Sequence, residues 1–144
     1  MSGSICRKMT SSDSPDQTRR PSAIVAGHGA FPEGLVNAVN LISGNGDVFI
    51  AVSNTGMSGS DIEASLRHHA EQSGVKVFFT DLPGGSATLA VRRMMHSDPG
   101  LVLITGANLA TLLEFSFQTD ADPRESAKRA AEKGRAALTA FGGA

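Results

Sequence analysis

A histidine set between two glycines, an aspartate and a glycine-glycine-serine run are the residues of this sequence best suited to chemistry. His28 lies in Gly27-His28-Gly29, directly after the apolar run Ala23-Ile24-Val25-Ala26. Flanking glycines permit a tight turn and leave the imidazole open to a reactant. Imidazole is the side chain whose charge changes nearest neutrality, so a neutral ring with one nucleophilic nitrogen is available. Fixing its tautomer takes a carboxylate or carbonyl on the other nitrogen, and Asp81, at the end of another apolar run, is the candidate. Gly84-Gly85-Ser86 precedes a helical stretch. There the backbone N–H groups and the positive end of the helix can face an anion. Ser86 would cap that helix and offer its hydroxyl to a phosphate oxygen. Each feature also has a plainer reading: a turn histidine without a role, and an ordinary strand-to-helix turn with a serine cap. In combination the three favour phosphate chemistry.

These residues need a scaffold, and the apolar pattern predicts one. Short buried strands are expected over residues 23–26, 47–52, 75–80 and 101–105. Between them run helical stretches. The first starts near Pro32, with Phe31, Leu35, Ala38, Val39 and Ile42 on one face, and stops at Gly44 and Gly46. The second starts near Ser60 and turns Ile62, Leu66, His69 and Ala70 inward; the third runs to about His96 and buries Ala87, Ala90, Val91 and Met94. A fourth ends near Phe117, and a C-terminal helix over residues 123–141 carries the stripe Ala127, Ala130, Ala131, Gly134, Ala137, Leu138 and Phe141. Strands alternating with helices through short loops imply right-handed crossovers and a three-layer α/β/α fold with a mostly parallel central sheet of four strands. Ligands in such folds sit beyond the carboxyl ends of the strands. Those ends carry Gly27-His28-Gly29, Ser53-Asn54-Thr55, the run from Asp81 to Ser86, and Gly106-Ala107-Asn108.

Composition narrows the function classes. The chain has 144 residues, 40% of them hydrophobic and 19% charged, and a formal net charge of -1. That size fits one domain, and that balance argues against a nucleic-acid partner. No apolar run is long enough to span a bilayer. The single cysteine, Cys6, excludes a disulfide framework and a multi-thiolate zinc cluster. His68 and His69 point about 100° apart on a helix and cannot easily share one ion, so no metal site is expected. Arg92 and Arg93 read as a solvated pair or part of a docking surface for an acidic partner. Neither G-x-x-x-x-G-K-[ST] nor G-x-G-x-x-G occurs, which removes the main support for a nucleotide-binding enzyme. Residues 1–22 are rich in Ser, Thr and charge, lack the apolar core of a secretory signal, and read as a flexible extension ahead of a domain over residues 23–144.

Three segments taken together, Ala-Ile-Val-Ala-Gly-His28-Gly-Ala-Phe, Phe-Phe-Thr-Asp81-Leu-Pro-Gly-Gly-Ser86 and Ile-Thr-Gly106-Ala-Asn108-Leu-Ala-Thr-Leu-Leu-Glu114, give a resemblance. The chain resembles the mannose family of enzyme IIA components of the phosphoenolpyruvate-dependent sugar phosphotransferase system (PTS), over about residues 22–141. The resemblance implies a sheet of order 2-1-3-4, a cytoplasmic homodimer, and a phosphotransferase acting through phosphohistidine. His28 would accept a phosphoryl group from HPr and pass it to an enzyme IIB in carbohydrate uptake, meeting membrane permease components only indirectly. Asp81 would contact the active histidine and Ser86 would help hold the phosphoryl oxygens, with Gly84 and Gly85 in the same phosphate-binding loop. No cofactor is implied beyond the covalent phosphoryl group. Many members carry proline where this chain has Ala87, and often an aromatic residue where it has Leu82-Pro83. An alternative within the same chemistry is a regulatory phosphoprotein whose His28 state controls a partner. A remoter one is a sugar-phosphate or nucleotide-binding domain without covalent chemistry.

Overall fold

Ala23, Ile24, Val25 and Ala26 have no polar side chain to offer water, and the fold puts them where none is needed. The computed structural model describes residues 20–117 and 122–144. In it Ala23–Gly27 forms β1, buried along its whole length at the centre of a parallel sheet. β2 (Phe49–Ser53) and β3 (Val77–Thr80) flank it, and β4 (Val102–Thr105) lies beyond β3, giving the order β2-β1-β3-β4. This is the expected 2-1-3-4 arrangement. Side chains of a strand alternate between the two faces, so each face collects its own core. Ala23 and Val25 join Val39, Phe49, Phe79, Leu112 and Phe115 on one side; Ile24 and Ala26 join Ile62, Leu66, Phe78, Val91 and Met94 on the other.

Helices α1 (Phe31–Ser43), α4 (Leu109–Ser116) and α5 (Pro123–Ala137) cover the first face; α2 (Gly59–Ser73) and α3 (Ser86–Ser97) cover the second. Phe49, Phe79 and Phe115 meet in the first core with ring centroids 5.1–6.1 Å apart, in the tilted and edge-on geometries aromatic quadrupoles prefer. The register sets up the site. Gly27 lies opposite Ser53 and Ala26 opposite Thr80, so β1 and β2 end level while β3 ends one residue short, which brings Asp81 into line with Gly27. The next residues, His28, Asn54 and Asp81, therefore leave the sheet side by side.

Several boundaries differ from the sequence pattern. β2 begins at Phe49 because Gly46–Val48 forms a 3-10 turn; residues 75–76 and 101 lie outside β3 and β4. The second helix begins at Gly59, capped by Ser58, whose hydroxyl and the Asp61 carboxylate exchange bonds with each other's backbone N–H in a capping box. His69 is only half-buried, since Ile62 and Leu66 fill the α2 contact. Ile42, expected on the buried face of α1, is 61% exposed. The stripe that packs is Pro32, Leu35, Val36 and Val39, and the left-handed Gly44 ends the helix just past the sheet. α5 stops at Ala137, leaving Leu138 85% and Phe141 92% exposed. Residues 1–19 of the expected N-terminal extension lie outside the described residues.

Candidate active site

The adjoining ends of β1 and β3 bring Asp81 against His28. Asp81 Oδ2 accepts two bonds from that residue, one from the backbone N–H at 2.8 Å and one from ring Nδ1 at 2.7 Å. Burial pushes the Asp81 carboxyl up, but the bonds from the His28 ring and backbone N–H outweigh it and leave the carboxyl below its ordinary range. The ionised carboxylate only accepts, so Nδ1 carries a proton, and in the neutral ring the lone pair then belongs to Nε2. The two side chains differ sharply in exposure: 57% for His28, 9% for Asp81. The acid is hidden and the imidazole projects.

Glycine at 27 answers to Asp81. A Cβ there would lie 2.6 Å from Asp81 Oδ2, closer than any carbon can sit. Gly29 answers to backbone geometry instead, with a φ of +55° in the turn that His28 O closes by accepting from the Phe31 N–H at 3.0 Å.

The loop after β3 turns back under the ring. Gly85 packs so near that a Cβ on it would stand 3.3 Å from His28 Cε1. Its N–H is taken by the Leu82 carbonyl at 3.2 Å, while Gly84 is exposed in open space. Gly85, not Ser86, occupies the cap position of α3, and no side chain caps that helix. Ser86 is the first helical residue. Among the described residues its N–H and that of Ala87 have no acceptor, so unpaired donors lie next to Gly85, the residue with no room for a side chain beside the imidazole. The Thr88 hydroxyl donates to the Leu82 carbonyl, so its single proton is spent and the buried Thr80 hydroxyl must donate to it, at 2.7 Å. Thr88 therefore pins the loop to the sheet, a role that no sequence spacing announces.

Of the remaining strand-end residues, Asn108 is structural. Its Oδ1 caps α4 by accepting from the Thr111 N–H, and its amide nitrogen donates to the Gly134 carbonyl of α5 at 2.9 Å. Asn54, which the sequence placed at a strand end without giving it a role, is the neighbour that joins the site: its Nδ2 donates to Ser86 Oγ at 2.8 Å. Its only signal in the sequence is its place directly after β2. His68 and His69 stack edge to face, with ring centroids 5.9 Å apart, and belong to a different surface from His28. Arg93 pairs with Glu63, which also receives Arg67. A groove of about 300 Å³ lined by Arg67, Ala70, Val75, Met94 and Leu101 lies near the amino ends of the strands, at the pole opposite His28.

A protein family described as the PTS system fructose IIA component, EIIA-man, matches residues 22–132. The chain belongs to that family. Solved structures agree in fold. The mannose/sorbose-specific IIA subunit of the phosphotransferase system from Enterococcus faecalis superposes with a TM-score of 0.73 at 22% identity, covering 86% of this chain and 96% of that one. The phosphotransferase system component EIIA from Streptococcus agalactiae gives 0.74 at 20% identity, over 83% and 96%. The IIA protein associated with the fucose utilization operon of Streptococcus pneumoniae gives 0.70 at 19% identity, over 85% and 94%. No curated protein matches the sequence. Among the described residues of this IIA component, no helix is long and apolar enough to cross a membrane.

Proposed function

We propose that this IIA component carries phosphoryl groups from HPr to an enzyme IIB in carbohydrate uptake, holding each in turn on Nε2 of His28. The observation that carries this reading is the bond of His28 Nδ1 to a buried carboxylate while the rest of the ring projects into solvent. A ring held that way has one lone pair, and it points toward whatever docks.

In the first transfer the Nε2 lone pair attacks the phosphorus of a phosphohistidine on HPr. The new N–P bond forms as the donor's N–P bond breaks, and the donor imidazole leaves with the electron pair. Positive charge appears on the His28 ring, and Asp81, bonded to its Nδ1–H, stabilises it. The Ser86 N–H and the Ser86 hydroxyl are the donors for the equatorial oxygens. Passing the group to enzyme IIB runs the same step in reverse. Such transfers rest on positioning and on stabilising those oxygens. No lysine or arginine occurs in residues 27–30, 53–58, 81–86 or 106–108, so neutral dipoles hold the group and it stays easy to give away.

An open site suits macromolecular partners, with the membrane permease reached only through enzyme IIB and the work done in the cytoplasm. No metal or cofactor enters the scheme. The exposed Leu138 and Phe141 beyond α5 offer apolar surface to a second copy, which supports a homodimer. The test is incubation with phosphoenolpyruvate, enzyme I and HPr. The expected product is acid-labile, alkali-stable phosphate on the protein, with the phosphorus resonance of an Nε2-linked phosphohistidine, and none in His28→Ala. Equal labelling of His28→Ala and wild type would overturn the assignment.

A further inference from the structure

We infer that Asn54 is a positioning residue that aims the Ser86 hydroxyl proton at the phosphoryl group on His28, an inference that rests on the phosphocarrier reading above. The backbone comes first. Asn54 N–H donates to the Gly27 carbonyl at 2.9 Å, adding one rung to the β1–β2 ladder immediately before His28. The loop that follows is braced by its own hydroxyls: Ser53 Oγ and Thr55 Oγ1 are 2.9 Å apart, and Thr55 N–H donates to Ser53 Oγ at 3.2 Å. Asn54 is therefore delivered to a set position beside the histidine.

Its side chain then crosses to the start of α3, where Nδ2 donates to Ser86 Oγ at 2.8 Å in a half-buried setting. A serine hydroxyl has one proton and two lone pairs. The amide occupies a lone pair, so the proton is not spent on Asn54, and among the described residues it has no other acceptor. Ser86 is not the helix cap, which leaves its hydroxyl without that competing duty. The residue before it, Gly85, lies so near that a Cβ on it would stand 3.3 Å from His28 Cε1. A hydroxyl held by its oxygen, with its proton unspent beside the acceptor imidazole, is a preorganised donor for an arriving anion. Asn54 acts only through Ser86 and does not touch the reacting atoms.

The experiment uses the full chain and phosphoramidate, a small donor that needs no protein partner. Its P–N bond breaks as Nε2–P forms, and ammonia leaves with the electron pair. Initial rates of His28 labelling are followed by phosphorus NMR in wild type, Asn54→Ala, Asn54→Asp, Ser86→Ala and the double variant Asn54→Ala/Ser86→Ala, with thermal unfolding of each. Asn54→Ala should label about tenfold more slowly at an unchanged Tm, and the double variant should match Ser86→Ala, because two residues acting as one unit do not add. Asn54→Asp should be slower than Asn54→Ala, since a carboxylate accepts the Ser86 proton and repels the phosphoryl oxygens. Wild-type rates in Asn54→Ala, or equal losses from Asn54→Ala with and without Ser86, would overturn the inference and leave the phosphocarrier reading standing. Failure of wild type to label on His28 would overturn both.

Discussion

Replacing Gly27 with alanine would place a methyl group 2.6 Å from Asp81 Oδ2 and 2.7 Å from its Cγ. Ordinary contact begins at 3.4 Å, so the carboxylate must retreat by about 0.8 Å. A retreat of that size away from residue 28 stretches its bonds to the ring and backbone, now 2.7 and 2.8 Å, to as much as about 3.5 and 3.6 Å, past the useful range. Gly27 sits in extended β1, so alanine itself fits the backbone, and stiffening the unfolded chain returns about 0.4–1 kcal/mol. Against that stands the loss of two charge-assisted bonds worth about 1.5–3 kcal/mol each. The net expectation is a folded protein weakened by about 2 kcal/mol or more. Its labelling rate should fall about a hundredfold, the usual consequence of misplacing a reacting group by about 1 Å. Gly29→Ala separates this from generic strain. A Cβ at 29 meets nothing within 4 Å, but the φ of +55° makes it cost about 1–2 kcal/mol. That variant should lose stability and keep its labelling rate. The assay is the initial rate of phosphate incorporation, with nitrogen NMR of the imidazole to read which nitrogen carries the proton. Wild-type labelling in Gly27→Ala, with Nδ1 still protonated, would refute the argument that residue 27 is glycine to admit Asp81.

Two further outcomes follow from the packing and the charges. Asp81 has a carboxyl held below the ordinary aspartate value of 3.8, so its contribution is complete above that value and is lost as pH falls through the lower folded one. Denaturation of wild type and Asp81→Asn from pH 7 to 2 should show a stability gap that closes below pH 3.8; a gap that persists undiminished to pH 2 would contradict the assignment. In Gly134→Ala the new Cβ would fall 1.8 Å from Thr111 Oγ1, a hydroxyl already tied to Asn108 Oδ1, so α4 and α5 must part. Helix propensity returns about 1 kcal/mol, and overpacking of this kind costs about 1–3 kcal/mol. Urea unfolding should register a net loss, and a variant as stable as wild type would show that the two helices part without cost.

Strand-length apolar runs broken by glycine are local information, which is why the parallel α/β class, the buried faces of α3 and the strand-end position of His28 were legible from the residues in order. The order 2-1-3-4 came with the resemblance, not with the periodicity, because a pattern along the chain carries no record of which strand lies beside which. For the same reason the far ends of helices were misjudged: apolar spacing continues through Ile42 and on to Leu138 and Phe141, while the sheet they would have to cover does not extend that far. Site detail needed the register. Gly27 opposite Ser53 and Ala26 opposite Thr80 bring together residues 53 and 32 positions apart in the chain, the pairs His28–Asp81 and Asn54–Ser86. Residue types announced a nucleophile, an acid and an anion loop. Only the folded chain decided which imidazole nitrogen stays free, why residue 27 has no side chain and which amide grips Ser86, because each is a distance between segments that the sequence keeps apart.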